Sequence, residues 1–308
     1  MDFSQLEGVP AVTPQFVPKV PGRYLFVDAD ILCYQCGGND DTDIETSRQS
    51  LKRKIDLFMA ASGAERLTLG MTGPGSNKGH RAVIAYTKPY QGTRSGSKPK
   101  NWLYLRNYVQ EGLAGPVKVV YDREADDLAG LFSTTYGDKA VLCSRDKDFR
   151  MLPGWHLDWD TCELVHVPRE AFSVEAGGKV YGTKWFWTQM LTGDSADNIP
   201  GLPKHPQYPR GVGPVAAAKI LAGVEDDQHA MHFVSEAYKD HYGEEWADRY
   251  VEQASLLWIR RTTEAFVDEW AEYLPVTVDI VDAADRLAER VAYTVQEAER
   301  ITACQKTQ

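Results

Sequence analysis

The chain has no apolar run of membrane-spanning length, and residues 1–22 carry Pro10, Pro14, Pro18 and Pro21 where a secretory leader would show a basic-then-apolar pattern. Both absences lead us to expect a cytoplasmic protein with a poorly ordered N-terminal arm. The five cysteines, Cys33, Cys36, Cys143, Cys162 and Cys304, form no repeated pairing, which argues against a disulfide framework. Cys33 and Cys36 make a C-x-x-C, but no second Cys or His pair stands at zinc spacing, so thiols buried on a helix are the better reading. No internal repeat or low-complexity tract stands out. One further absence is local: between Arg66 and Gln110 there is no Asp or Glu at all.

What is present fits a soluble chain. Its 308 residues, 43% hydrophobic and 25% charged, are enough for one large or two modest domains with a real core. The formal net charge of -10 taken alone argues against a nucleic-acid partner. Distribution reverses that argument, because Arg66, Lys78, Arg81, Lys88, Arg94, Lys98, Lys100 and Arg106 all fall in the acid-free stretch. A local cationic surface of that kind holds a polyanion by counterion release. The plainer alternative is a solvated loop with a chance charge bias.

Apolar runs predict strands at 24–27, 67–71, 117–121 and 140–143, and a helix at 50–61. Residues 72–100 are rich in Gly, Pro, Ser and Lys and read as a long loop or arch. Beyond residue 183 the pattern turns helical, with candidates at 183–192, 214–222, 228–240 and 244–260. This alternation predicts an α/β fold with a mostly parallel central sheet flanked by helices. Trp155 with Trp159, and Trp185 with Trp187, read as core packing at alternating positions. Residues 261–308 give amphipathic helix signals and no recognisable chemistry.

Carboxylates gather in four groups, each just after an apolar run: Asp28 with Asp30; Glu124 with Asp126 and Asp127; Asp146 with Asp148; and Asp194 with Asp197. Ligands of open α/β sheets bind beyond the carboxyl ends of strands, so these oxygens are placed to meet in one pocket. Their repulsion is tolerable there only with cations among them. Each group has an ordinary explanation too: the Glu124 group could complement a helix dipole, and Asp146 could cap a turn. Downstream, Gly211 and Gly213 precede an Ala-rich helix and would present backbone N–H groups to a phosphate, with Lys219 in support. A plain tight turn into a helix would look much the same.

From Tyr24 to Leu221 the chain resembles the 5′ nucleases: flap endonucleases, the 5′ exonuclease domain of bacterial DNA polymerase I and, most of all, the small 5′ exonucleases of tailed phages. FVDAD matches the first metal strand, PYQGTR the arch, EADDLAG the central acidic helix start, and CSRDKDF the next strand end. TGDSADNIPGLP with GVGPVAAAKIL matches the helical clamp on duplex DNA. The resemblance implies a division into an N-terminal arm (1–22), an α/β nuclease core (23–182) with an arch at about 72–110, a helix-hairpin-helix type clamp region (183–260) and a C-terminal helical extension (261–308). It implies two Mg²⁺ or Mn²⁺ ions, with Asp28, Glu124, Asp126, Asp146 and Asp148 nearer the first and Asp127, Asp194 and Asp197 toward the second. Asp30 is a weaker assignment, since many relatives lack an acid there. A monovalent cation at the clamp also follows.

Arg94 would grip phosphate by its planar fork, and Tyr90 could stack on a base near the 5′ end or simply pack the arch. Lys98, Lys100, Gly211, Gly213 and Lys219 would contact DNA. The implied activity is 5′→3′ exonucleolytic hydrolysis of duplex DNA at a 5′ end, nick or flap, with flap endonuclease and RNase H-like cutting of RNA–DNA hybrids, in phage replication or recombination. Two departures stand out. Gly73 occupies the place of a usual Asp, and Gln91 that of the Lys usual after the arch Tyr, so Lys88 or Lys98 would have to reach in. Those departures keep a catalytically weakened, structure-specific DNA binder in view. A PIN-like ribonuclease is another alternative, and the Asp28-x-Asp30 pair admits a phosphatase of the haloacid-dehalogenase type.

Overall fold

Leu25, Phe26 and Val27 offer no polar face to water, and they form the middle of a strand buried on both sides, as parallel sheets require. The structure, a computed structural model, describes residues 17–93, 96–206, 208–264 and 266–306. The chain begins with β1 (Tyr24–Asp28), α1 (Ala29–Cys36), α2 (Ile44–Ser62), β2 (Arg66–Thr72), the short α3 (Arg81–Ile84) and α4 (Trp102–Gln110). It continues through β3 (Val117–Val120), α5 (Ala125–Tyr136), β4 (Ala140–Cys143), β5 (Gly154–Leu157) and β6 (Leu164–Val167). A hairpin of β7 (Val174–Ala176) and β8 (Lys179–Tyr181) leads to α6 (Thr183–Thr192), α7 (Pro214–Ile220), α8 (Asp227–Tyr242), α9 (Trp246–Leu257) and α10 (Val278–Lys306).

The main sheet has the order β3-β2-β1-β4-β5-β6, parallel except for the antiparallel β5–β6 pair. This is the α/β architecture expected from the sequence. Strand periodicity splits the core in two. Leu25, Val27, Val141 and Cys143 face α1, α2 and α4, where Leu32, Leu51, Phe58, Leu105 and Val109 are buried with them. Phe26 and Leu142 face the other way, onto Ala129 and Phe132 of α5 and the helices from α6 onward. Each such side chain contributes roughly 1.5–3 kcal/mol by leaving water.

Helix starts are fixed by acids. Asp28 accepts from the Ile31 amide (3.1 Å) to begin α1, and Asp43 from the Thr46 amide (2.7 Å) to begin α2. Gly130 lets α5 touch the segment after α9: a Cβ there would lie 2.2 Å from the Arg260 carbonyl oxygen.

Several expectations need correction. The expected loop of 72–100 holds the short α3, and α4, which packs on α1, follows it within the wider arch stretch that runs to residue 110. Strands β5 to β8 were not anticipated. Trp185 and Trp187 lie on a helix, where a spacing of two sends side chains to different faces; Trp187 is buried and Trp185 half-buried with Arg150 stacked on it. Residues 1–16 of the expected N-terminal arm lie outside the described residues, and residues 17–20 are bonded to the end of α2 through Val17 to Ala60 (3.2 Å) and Val20 to Gly63 (2.8 Å). Cys33, Cys36, Cys143 and Cys162 are buried free thiols, and Cys304 is exposed. Among the described residues no helix is long and apolar enough to cross a membrane.

Candidate active site

The strand order reverses between β1 and β4, which places a crevice beyond their carboxyl ends. Asp28 closes β1, Asp146 and Asp148 follow β4, and Glu124, Asp126 and Asp127 open α5; the turn after α6 adds Asp194 and Asp197. The structure brings all eight into one electrostatic neighbourhood. Burial, then repulsion from Asp146, Asp28, Glu124 and Asp127, holds the Asp126 carboxyl well above its ordinary pKa. Burial and the charge of Asp30 push Asp28 up to about 7. Burial likewise raises Asp146, with Asp197 and Asp194 adding to it, and raises Asp148, with Asp146 and Asp194 adding to it.

Within this neighbourhood the acids divide by partner. Asp28 accepts from the Ile31 amide and the Ser144 hydroxyl (2.8 Å), and Asp146 accepts from the Asp148 amide (2.9 Å). Asp126 has neither hydrogen bond nor ion pair among the described residues. These three therefore lack any ion-paired cation there. Among the described residues, no three His, Cys, Asp or Glu side chains already stand as a set able to hold a metal ion. Mg²⁺, a hard ion, keeps several waters and takes only one or two carboxylates besides substrate phosphate, and the oxygen-only donors Asp28, Asp126 and Asp146 fit that chemistry.

The remaining acids are already engaged. Asp127, expected toward a second ion, instead accepts two 2.7 Å bonds from the Arg81 guanidinium in full burial, plus the Arg260 amide at 3.0 Å. Burial would raise its pKa, but Arg81 outweighs it and holds it below the carboxylate range. Glu124 and Asp197 are bridged by the Tyr90 hydroxyl (2.8 and 2.9 Å) and by the Gln91 amide nitrogen (3.2 and 3.1 Å). Asp194 takes the Lys147 ammonium at 2.6 Å, and Asp148 accepts from Gln189 at 2.6 Å. Asp30 is ion-paired with Arg106 and accepts from the Thr72 amide at 3.0 Å, which removes it from the pocket set.

The nucleic-acid candidates are placed unevenly. Tyr90, expected either to stack on a base or to pack the arch, has its hydroxyl between two carboxylates and its ring half-buried against the core. Lys88, Lys98 and Lys100 are exposed, Lys98 lying 5.0 Å above the Trp102 ring and Lys100 donating to the Asp40 carbonyl at 2.5 Å. Arg94 lies outside the described residues. Gly213 caps α7 and is exposed, but the Gly211 amide is used by the Tyr208 carbonyl (2.8 Å). Lys219 sits in the last turn of α7, at the end opposite Gly213, so the two do not form the single phosphate grip expected. At Gly73 a Cβ would fall 2.4 Å from the Tyr121 ring, so any side chain there requires that ring to move.

Three cations were missed as site residues. Lys78 donates to the Gln91 side chain and lies 3.8 Å from Glu124; Arg81 secures Asp127; Lys147 bridges Asp194 and Asp148. For Lys147 a signal existed, its place between Asp146 and Asp148. Lys78 and Arg81 carried none beyond membership of the basic stretch.

A mostly parallel six-stranded sheet flanked by helices, followed by a helical second half, is the fold this chain shares with solved 5′-exonuclease and flap endonuclease structures. Among solved structures it is similar to the T5 5′-exonuclease with zinc bound, at a TM-score of 0.54 and 15% identity over 88% of this chain and 99% of that one. It is similar also to the bacteriophage T5 flap endonuclease in a pseudo-enzyme-product complex with DNA and metal ions, at 0.53 and 15% identity over 88% and 98%. No protein-family model matches the chain, and no curated protein matches it.

Proposed function

We propose that the chain is a divalent-metal-dependent 5′ nuclease that hydrolyses duplex DNA from a 5′ end or nick, with flap cutting and RNase H-like cutting as further activities of the same site. The observation that carries this reading is the group Asp28, Asp126 and Asp146, held at the strand switch point with raised pKa values and no ion-paired cation among the described residues. Asp28, Asp126 and Asp146 would hold a divalent ion, which when bound would supply a nucleophilic water at neutral pH and charge neutralisation for the reacting phosphodiester. Ser144 fixes the Asp28 carboxylate, and Gln189 fixes Asp148. Lys78, 3.8 Å from Glu124, would serve as a point charge for a substrate phosphate, and the exposed Lys88, Lys98 and Lys100 would add cationic charge for the DNA backbone.

A panel of 5′-labelled nick, blunt duplex, flap and RNA–DNA hybrid substrates in Mg²⁺ or Mn²⁺ tests this. We expect short 5′ products from the intact chain, about a hundredfold or more slowing for Asp126→Asn, and retained duplex binding in Ca²⁺. Full-rate cleavage by Asp126→Asn rules out its role. A second reading is favoured by the closure of Glu124 and Asp197 by Tyr90 and Gln91: a structure-specific DNA binder with weakened catalysis. That protein would shift the same substrates on a gel and release nothing.

A further inference from the structure

Glu124, Asp127, Asp30, Asp148 and Asp194 each face a cationic side chain, and the contacts of Arg81 with Asp127 and of Arg106 with Asp30 have plain structural duties. The Lys147 contact is different in kind. Its ammonium lies 2.6 Å from Asp194 Oδ2 and 3.9 Å from Asp148 Oδ1, so one cation joins carboxylates from the turn after β4 and the turn after α6. Asp194 is 4% exposed and Lys147 38% exposed, so the charge sits at the mouth of a nearly closed acid pair. Asp194 is steadied on Oδ1 by the Ala196 amide at 2.8 Å, which leaves Oδ2 to the ammonium, whereas Asp148 Oδ1 is shared between Gln189 at 2.6 Å and the more distant Lys147. Holding two acids of separate segments together is the task a second divalent ion would perform.

We infer that Lys147 is the resident cation of this second position: its ammonium takes the place of a second divalent ion, so that the chain loads one ion, at Asp28, Asp126 and Asp146. This rests on the metal-dependent reading above. An ammonium and a divalent ion compete for the same oxygens, so an ion can enter between Asp148 and Asp194 only by expelling the lysine and leaving its charge to solvent.

Mn²⁺ titrations of the full chain, followed by calorimetry and by the spectroscopic signal of free Mn²⁺, test the inference without reference to turnover. The wild-type chain is expected to bind one Mn²⁺, Lys147→Met to bind two, the second gaining about tenfold or more in affinity, and Lys147→Arg to match wild type. Two ions of similar affinity in wild type, or an unchanged isotherm in Lys147→Met, overturn the lysine's role while leaving the metal reading intact. Lys147→Gln, which keeps a hydrogen-bond donor for Asp194, serves as the neutral variant if Lys147→Met does not fold. No Mn²⁺ bound by any form, with no cleavage of nicked DNA, overturns the metal reading and this inference together.

Discussion

Asp126 and Asp127 stand side by side in the sequence, yet a helix turns successive residues by about 100° and sends them to different surroundings. Asp126 faces the crevice without a partner; Asp127 turns inward to the buried Arg81. Taking both charges out of water is expensive, and the pair is sustained by two matched 2.7 Å bonds and by the Arg260 and Glu124 amides at 3.0 and 3.2 Å. Removing one partner leaves the other charge buried alone. We therefore expect Arg81→Met to lower unfolding free energy by about 3–5 kcal/mol in urea denaturation. Arg81→Met with Asp127→Leu should recover most of that loss. A single variant that unfolds at the wild-type midpoint would show the pair to be dispensable.

At the scale of elements, what could be read early was whatever is written in local periodicity. The apolar runs of β1 and β4 and the 3.6-residue pattern of α6 stand out, and the structure gives α6 as Thr183–Thr192, the range expected. Strands β5 to β8 are three or four residues long and include Gly154, His156 and Lys179, too short and mixed for alternation to show. The acids were visible because they follow strand ends. Their countercharges were not, because Lys78 and Arg81 meet Glu124 and Asp127 only after the chain crosses the sheet. For α10 the amphipathic signal was legible and its anchor was not: Ile280, Ala283, Ala284, Leu287 and Val291 are buried, while most residues past Val295 are exposed. Arg290 adds a 2.9 Å bond to the Ile84 carbonyl and stacks 4.4 Å from Tyr86. A chain ending at Thr277 should lose about 5 kcal/mol or more of stability, whereas one ending at Val295 should lose less than about 1 kcal/mol. Equal melting temperatures for the two truncations would contradict this.

For the whole molecule, the crowded carboxyls set how stability varies with pH. Asp28 has a folded pKa of about 7 against an ordinary 3.8, and Asp126, Asp146 and Asp148 are shifted the same way. A group raised on folding contributes stability that is complete below its unfolded pKa and is lost as pH rises through its folded one. Asp127 and Asp158 run oppositely, Asp158 being drawn down to about 2 by Lys179 and neighbouring amides against the effect of burial, so their contribution fades only in acid. His156, pushed down to about 4 by burial, also favours higher pH, as do His80 and His241, against five raised acids with Glu124 included. With chelator present, the melting temperature should therefore fall as pH rises from about 5 to 8. A divalent ion binds the deprotonated acids and displaces their protons, so Ca²⁺ should flatten or invert that slope most strongly at the alkaline end. Melting curves at several pH values, with chelator and with Ca²⁺, read both effects at once. If the chelated protein grows more stable toward pH 8 and Ca²⁺ leaves every curve unmoved, the acids are not held together under repulsion, and the crevice between β1 and β4 is not a cation site.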